Sequence, residues 1–129
     1  MEMAGRIIIA EDEPNIIMSL EFLLTQAGHD VSIARDGETA LRLASEARPD
    51  LIVLDLMLPL INGFEVCRRL RADPALRDTK VLMLTARGRQ SEIKRGLEAG
   101  ANAYMTKPFA TRDLLGAVAE LLGARRPHE

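Results

Sequence analysis

Three short runs in this chain are apolar without alternation: Ile7-Ile8-Ile9-Ala10, Leu51-Ile52-Val53-Leu54 and Val81-Leu82-Met83-Leu84. A strand with one wet face would alternate apolar and polar side chains, so an unbroken run of four predicts a strand covered on both faces, as in the middle of a parallel sheet. Around these runs the spacing changes to that of helices. Ile16, Ile17, Leu20, Leu23, Leu24 and Ala27 share one helical face, and Gly28 stands where a helix C-terminus favours positive φ. Val31 and Ile33 predict a short second strand, Asp36 an N-cap, and Ala40, Leu41 and Ala44 the next apolar stripe before Pro49. Residues 55–62 read as a loop, residues 63–72 as a helix with Phe64, Cys67 and Leu70 inward, and Asp73-Pro74 as a break. Ser91 is placed to cap a helix that carries Ile93 and Leu97 and ends at Gly100. Residues 103–106 read as a fifth strand, and Thr111 caps a last helix striped by Leu114, Leu115, Val118, Leu121 and Leu122.

Strands that alternate with helices of about ten residues imply right-handed crossovers, hence an α/β fold. Five such units predict a doubly wound, five-stranded parallel sheet with helices on both faces. The order 2-1-3-4-5, the flavodoxin-like (βα)5 arrangement already known from flavodoxin, fits best; it puts ligands beyond the carboxyl ends of the strands, at the switch point between strands 1 and 3. With 129 residues, the expected organisation is a single domain over 1–129, its core at 6–123 and residues 124–129 a frayed tail or the start of a linker.

Composition removes several function classes. The lone Cys67 has no partner for a disulfide, and with no secretory signal in the first residues the expected compartment is a reducing cytoplasm. No apolar stretch approaches the roughly 18 to 20 residues of a membrane span. Seventeen basic against nineteen acidic side chains, a net charge of −2, give no basic excess for a nucleic-acid surface, so direct nucleic-acid contact is not expected.

What remains is a constellation at one sheet edge. Glu11 and Asp12 follow strand 1, Asp55 follows strand 3, Thr85 strand 4 and Lys107 strand 5. Crowded carboxylates repel one another, and either protonation or a hard divalent cation relieves them. Oxygen donors with no His or Cys nearby favour Mg²⁺, with Mn²⁺ as its substitute. The ammonium of Lys107 and the hydroxyl of Thr85 complete a pocket for a small oxyanion, and Asp55 is placed for in-line attack on a phosphoryl group, with an aspartyl phosphate as product.

At these residues the chain resembles a bacterial two-component response-regulator receiver domain of the chemotaxis-regulator type, over residues 6–123. The matching segments are residues 7–14 (IIIAEDEP), 51–63 (LIVLDLMLPLING), 81–88 (VLMLTARG) and 100–109 (GANAYMTKPF). The resemblance implies that Asp55 is the phosphoacceptor and that Mg²⁺ is held by Asp12, Asp55 and the Met57 carbonyl, with Glu11 acting through a water. It implies a cis Lys107-Pro108 bond, a Tyr104 that swings inward when Thr85 moves toward the phosphoryl group, and a switched surface on helix 4, strand 5 and helix 5. It implies that Met57 and Arg87 flank the path of the hydrolytic water. A Met sulfur and a permanent cation cannot serve there as a base, so a long-lived phosphorylated state is expected. The implied partners are a sensor histidine kinase or histidine phosphotransfer protein and a downstream effector protein or domain; the chain would be a signalling switch rather than a turnover enzyme.

Plainer roles compete at single positions. Glu13 reads as a solvated acid at a helix N-terminus, Cys67 as core, and His29 and His128 as exposed bystanders. Leu60-Ile61-Asn62 stands where the family often has Gly, Met and Asp. Asn102, Ala103 and Ala117 replace the two acids and the Arg that pair across dimers of DNA-binding members, which favours output through another partner. Two rival functions share the fold. A flavin carrier needs a phosphate-cradling first loop, which Glu11-Asp12-Glu13-Pro14 opposes by charge and by the missing N–H of Pro14. A small-substrate phosphatase usually has an acid two residues after its nucleophilic Asp, where this chain has Met57.

Overall fold

A computed structural model describes residues 5–86 and 90–123. Its elements run β1 (Arg6–Ala10), α1 (Pro14–Gln26), β2 (Asp30–Ala34), α2 (Gly37–Ala47), β3 (Leu51–Asp55), α3 (Gly63–Ala72), β4 (Lys80–Ala86), α4 (Gln90–Ala99), β5 (Ala103–Lys107) and α5 (Thr111–Gly123). The five strands are all parallel, in the order β2-β1-β3-β4-β5. That is the fold expected from the unbroken apolar runs.

Each run feeds two cores because successive side chains point to opposite faces of the sheet. Ile8, Ala10, Ile52, Leu54, Val81 and Met83 pack with Ala40 and Ala44 of α2 and with Phe64, Val66, Cys67 and Leu70 of α3. Their neighbours Ile7, Ile9, Leu51, Val53, Leu82 and Leu84 face the other way, onto Leu20 and Leu24 of α1 and Leu114, Val118 and Leu122 of α5. A fully buried aliphatic side chain contributes about 1.5 to 3 kcal/mol, so the central strands, buried on both faces, hold the sheet that carries the site. α4 is attached differently: of its residues only Gly96 is buried.

Local signals set the helix ends. Pro14 opens α1, where its missing N–H costs nothing, and Gly28 follows its end at φ +96°. The side chain of Asp36 accepts from the Thr39 N–H at 2.7 Å, and that of Asn62 from the Glu65 N–H at 3.0 Å, capping α2 and α3.

Some expectations move. Ala27 belongs to the exposed C-cap of α1 rather than to its buried face. Ser91 lies inside α4, which already includes Gln90, and Thr111 is the first residue of α5 rather than the residue before it. β4 extends to Ala86 and β5 to Lys107, because the ladder continues through the pairs Thr85 with Thr106 and Ala86 with Lys107. His29 is no bystander: it is partly buried, and its Nδ1 accepts from the Gly5 N–H at 3.0 Å. Arg87, His128 and the tail 124–129 lie outside the described residues. No helix among the described residues is long and apolar enough to cross a membrane.

Candidate functional site

The strands around the switch point end on one edge, and the backbone ladder runs on past them. The Glu11 N–H donates to the Ala34 carbonyl at 2.9 Å and the Leu56 N–H to the Leu84 carbonyl at 3.2 Å. These bonds hold the first polar residue after each apolar run at the sheet's end instead of letting it turn into solvent. Glu11 (0% exposed), Asp55 (4%) and Thr85 (1%) are therefore buried, whereas Asp12 is exposed.

Glu11, Asp12 and Asp55 each offer a carboxylate oxygen, and these oxygens lie within 4.8 Å of one another. One Asp55 oxygen, Oδ1, accepts from the Met57 N–H at 3.2 Å. The other, Oδ2, lies 3.5 Å from the Lys107 ammonium, which also sits 3.3 Å from Glu11 Oε1. The second oxygen of Glu11 accepts from the Glu13 N–H at 3.0 Å. Glu13 itself is exposed and makes no cap bond with its side chain.

The electrostatics follow from this crowding. Burial pushes the Glu11 carboxyl above the ordinary carboxylate range; the bond from Glu13 and the Lys107 ammonium pull it back, while Asp55 raises it further. For Lys107 burial acts to lower the pKa, but the carboxylates of Asp55 and Glu11 together outweigh it and the ammonium is held more firmly than usual. Among the described residues three acids face one base, which leaves the centre short of positive charge. The Thr85 hydroxyl adds a second deficit, because its Oγ1 is buried with no hydrogen-bond partner among the described residues. An all-oxygen donor set and an unsatisfied hydroxyl near the end of a neighbouring strand suit a hard divalent cation together with an oxyanion.

The remaining predicted residues are placed as follows. The Lys107-Pro108 peptide bond is cis. Met57 adjoins Asp55 through its backbone, and its side chain is 68% exposed. Tyr104 is 47% exposed and stands three residues before Lys107, so the two side chains leave opposite faces of β5. By register Tyr104 pairs with Met83 and Thr106 with Thr85, which puts Tyr104 and Thr85 on the same face. Nothing in the residue pattern marked Gly37, which with Gly63 lies against the loop after Asp55; these close contacts appear only in three dimensions.

Comparison with known proteins agrees with this geometry. The response regulator receiver domain family matches residues 7–119. The alkaline phosphatase synthesis transcriptional regulatory protein PhoP of Bacillus subtilis is 43% identical over 120 residues, 93% of this chain and 49% of that protein. The chain spans about half the length of the curated relatives it matches. The signal receiver domain of a signal transduction histidine kinase from Syntrophus aciditrophicus superposes with a TM-score of 0.89 at 36% identity, covering 98% of this chain and 96% of that one. The receiver domain of a sensor histidine kinase from Pseudomonas aeruginosa, with a magnesium ion coordinated in its active-site cleft, gives 0.86 at 32% identity, covering 93% and 98%. With its sheet order, its edge of acids and these matches, the chain belongs to the response regulator receiver domain family, and so to two-component signalling.

Proposed function

We propose that this chain is a single receiver unit over 1–129, its core at 6–123, whose Asp55 accepts a phosphoryl group in a reaction that depends on Mg²⁺ or Mn²⁺. The observation that carries the reading is the setting of Asp55: buried at the switch point, one oxygen 3.5 Å from the Lys107 ammonium, with a carboxylate oxygen within 4.8 Å of those of Glu11 and Asp12. Asp12, Asp55 and the Met57 carbonyl would hold the cation, with Glu11 contributing through a water. When bound, the cation supplies charge neutralisation between the carboxylates and the incoming phosphoryl oxygens. Support for the metal comes from the acidic cluster here and from the magnesium in the cleft of the Pseudomonas relative.

The donor is a phosphohistidine on a sensor kinase or a histidine phosphotransfer protein. An Asp55 oxygen forms the new O–P bond as the P–N bond breaks, and the electron pair of that bond leaves on the imidazole nitrogen. Lys107 pairs with a phosphoryl oxygen, and the free Thr85 hydroxyl donates to another. Drawing Thr85 toward the phosphoryl group opens the face it shares with Tyr104, and the ring turns inward. That change reaches α4, β5 and α5, which present the surface to a downstream effector protein or domain in the cytoplasm; these residues make no direct contact with nucleic acid. The chain acts as a switch and not as a turnover enzyme. Met57 and Arg87 make the phosphorylated state long-lived.

Incubation with acetyl phosphate and Mg²⁺ tests this reading. Label should appear on Asp55, and both EDTA and Asp55→Asn should abolish it. Equal labelling of the variant would remove Asp55 from its role.

A further inference from the structure

The loop that carries the Met57 carbonyl is braced from an element with no part in the acidic cluster. Within it, the Ile61 N–H donates to the Pro59 carbonyl at 2.8 Å across Leu60, which has φ +70°. A bond from residue i+2 to residue i about a positive φ is the rarer, strained form of γ-turn, and a branched side chain makes it costlier still. Leu60 gains no packing in return, since its side chain is 73% exposed. Something else must hold the turn.

That support is Gly37, the first residue of α2. Its N–H, one of the free donors at a helix start, donates to the same Pro59 carbonyl at 3.0 Å. Its bare Cα lets the loop lie against it: a Cβ there would stand 2.0 Å from the Ile61 carbonyl oxygen and 2.7 Å from Ile61 Cβ. At the other end the Gly63 N–H donates to the Leu56 carbonyl at 3.0 Å, and a Cβ on Gly63 would meet the Asp55 carbonyl oxygen at 2.6 Å. Met57 lies between these two anchors, its N–H on Asp55 Oδ1.

We propose that Gly37 is a positioning residue for the cation site: its contacts with Pro59 and Ile61 hold the loop so that the Met57 carbonyl and the Asp55 carboxylate face the same point. The inference rests on the Mg²⁺-dependent reading above. It makes cation binding and the Gly37 contact mutually dependent, because coupling between two events is reciprocal.

The test uses the full chain and Mg²⁺ alone, with affinity read by calorimetry or by amide shifts. Gly37→Ala should weaken Mg²⁺ binding about tenfold. The Mg²⁺ concentration needed for half-maximal labelling by acetyl phosphate should rise by a similar factor, with the rate at saturating Mg²⁺ nearly kept. Gly28→Ala is the control for simple destabilisation, since Gly28 has φ +96° and open space around it; its melting point should fall with Mg²⁺ affinity unchanged. A folded Gly37→Ala protein with wild-type affinity overturns the proposal. Should that variant not fold, hydrogen exchange on the wild type decides: saturating Mg²⁺ should slow exchange of the Gly37 amide severalfold, and an unchanged rate overturns the proposal equally. A wild type that binds Mg²⁺ and slows Gly37 exchange but takes no label from acetyl phosphate would sink the phosphoacceptor reading while leaving the coupling intact.

Discussion

Thr85 shows how a side chain can be a liability to the fold and useful to the site. Its Oγ1 is buried and has no partner among the described residues, and an unmet hydroxyl of this kind costs about 1 to 3 kcal/mol. Thr85→Val removes the hydroxyl with little change of shape. It should raise stability by about 1 kcal/mol in urea titrations without metal, and slow labelling of Asp55 by about tenfold or more through loss of a donor to the phosphoryl oxygen. A variant less stable than wild type would show that the hydroxyl is satisfied in solution. Residues of this sort were legible in the sequence because each follows an apolar run directly: Asp55 after Leu54, Thr85 after Leu84. The strand predicts itself, and the next polar residue falls at its end. Gly37 was not legible, since its reason is a carbonyl that arrives from residue 61 and no pattern near residue 37 announces it.

At the scale of elements, periodicity located every strand and helix but misjudged where several of them end. Ser91 and Thr111 are favourable cap types, yet the helices α4 and α5 take them inside, a shift of one or two residues that composition does not decide. Contacts between elements were harder still. Arg71 at the end of α3 donates to the carbonyls of Arg77 and Thr79, to Gly100 and to Asn102 Oδ1, tying the α3–β4 and α4–β5 connections together across up to 31 residues of sequence. A charged residue on a helix gives no hint of such partners. His29 is the same kind of case, and it carries a pH dependence. Its Nδ1 accepts from Gly5 at the entry to β1, so the bond needs an unprotonated nitrogen, and burial lowers the imidazole pKa from its ordinary 6.5. Between the lowered value and 6.5 the unfolded chain binds more protons than the folded one. This contribution is complete above about pH 7, declines as the pH falls through 6.5, and levels off below the folded value. Urea midpoints of the metal-free protein at pH 7.5 and 5.5, compared with those of His29→Gln, should show a larger loss in wild type over that interval. Parallel losses would mean that His29 stays unlinked to folding.

The whole molecule divides into a rigid centre and a lightly held side. β1 and β3 are buried almost throughout, whereas β5 has no fully buried residue and α4 only Gly96. Leu97 and Tyr104 are about half exposed on that side. Elements with so little buried surface can change arrangement for a few kcal/mol, and the free energy of one new contact can decide which arrangement prevails. On the proposed reading Lys107 would supply the link, because it belongs to β5 while its ammonium lies between Glu11 and Asp55. Moving a two-state equilibrium from about 1:99 to 99:1 takes about 5.5 kcal/mol, and a charge-assisted hydrogen bond contributes about 1.5 to 3 kcal/mol of that. Without it the switched arrangement of the phosphorylated protein should fall from about 99% to between about 90% and 40% of the population. Lys107→Ala should therefore still accept label on Asp55 from acetyl phosphate, more slowly, while the amide shifts of residues 90–120 on phosphorylation reach only about 40 to 90% of their wild-type size. The same spectra should show wild-type shifts around Asp55 itself, since the new bond is formed there in both proteins. Full shifts across α4, β5 and α5 in the variant would mean that Thr85 alone carries the signal, and that the pairing of Lys107 with Glu11 serves only to keep a buried acid charged.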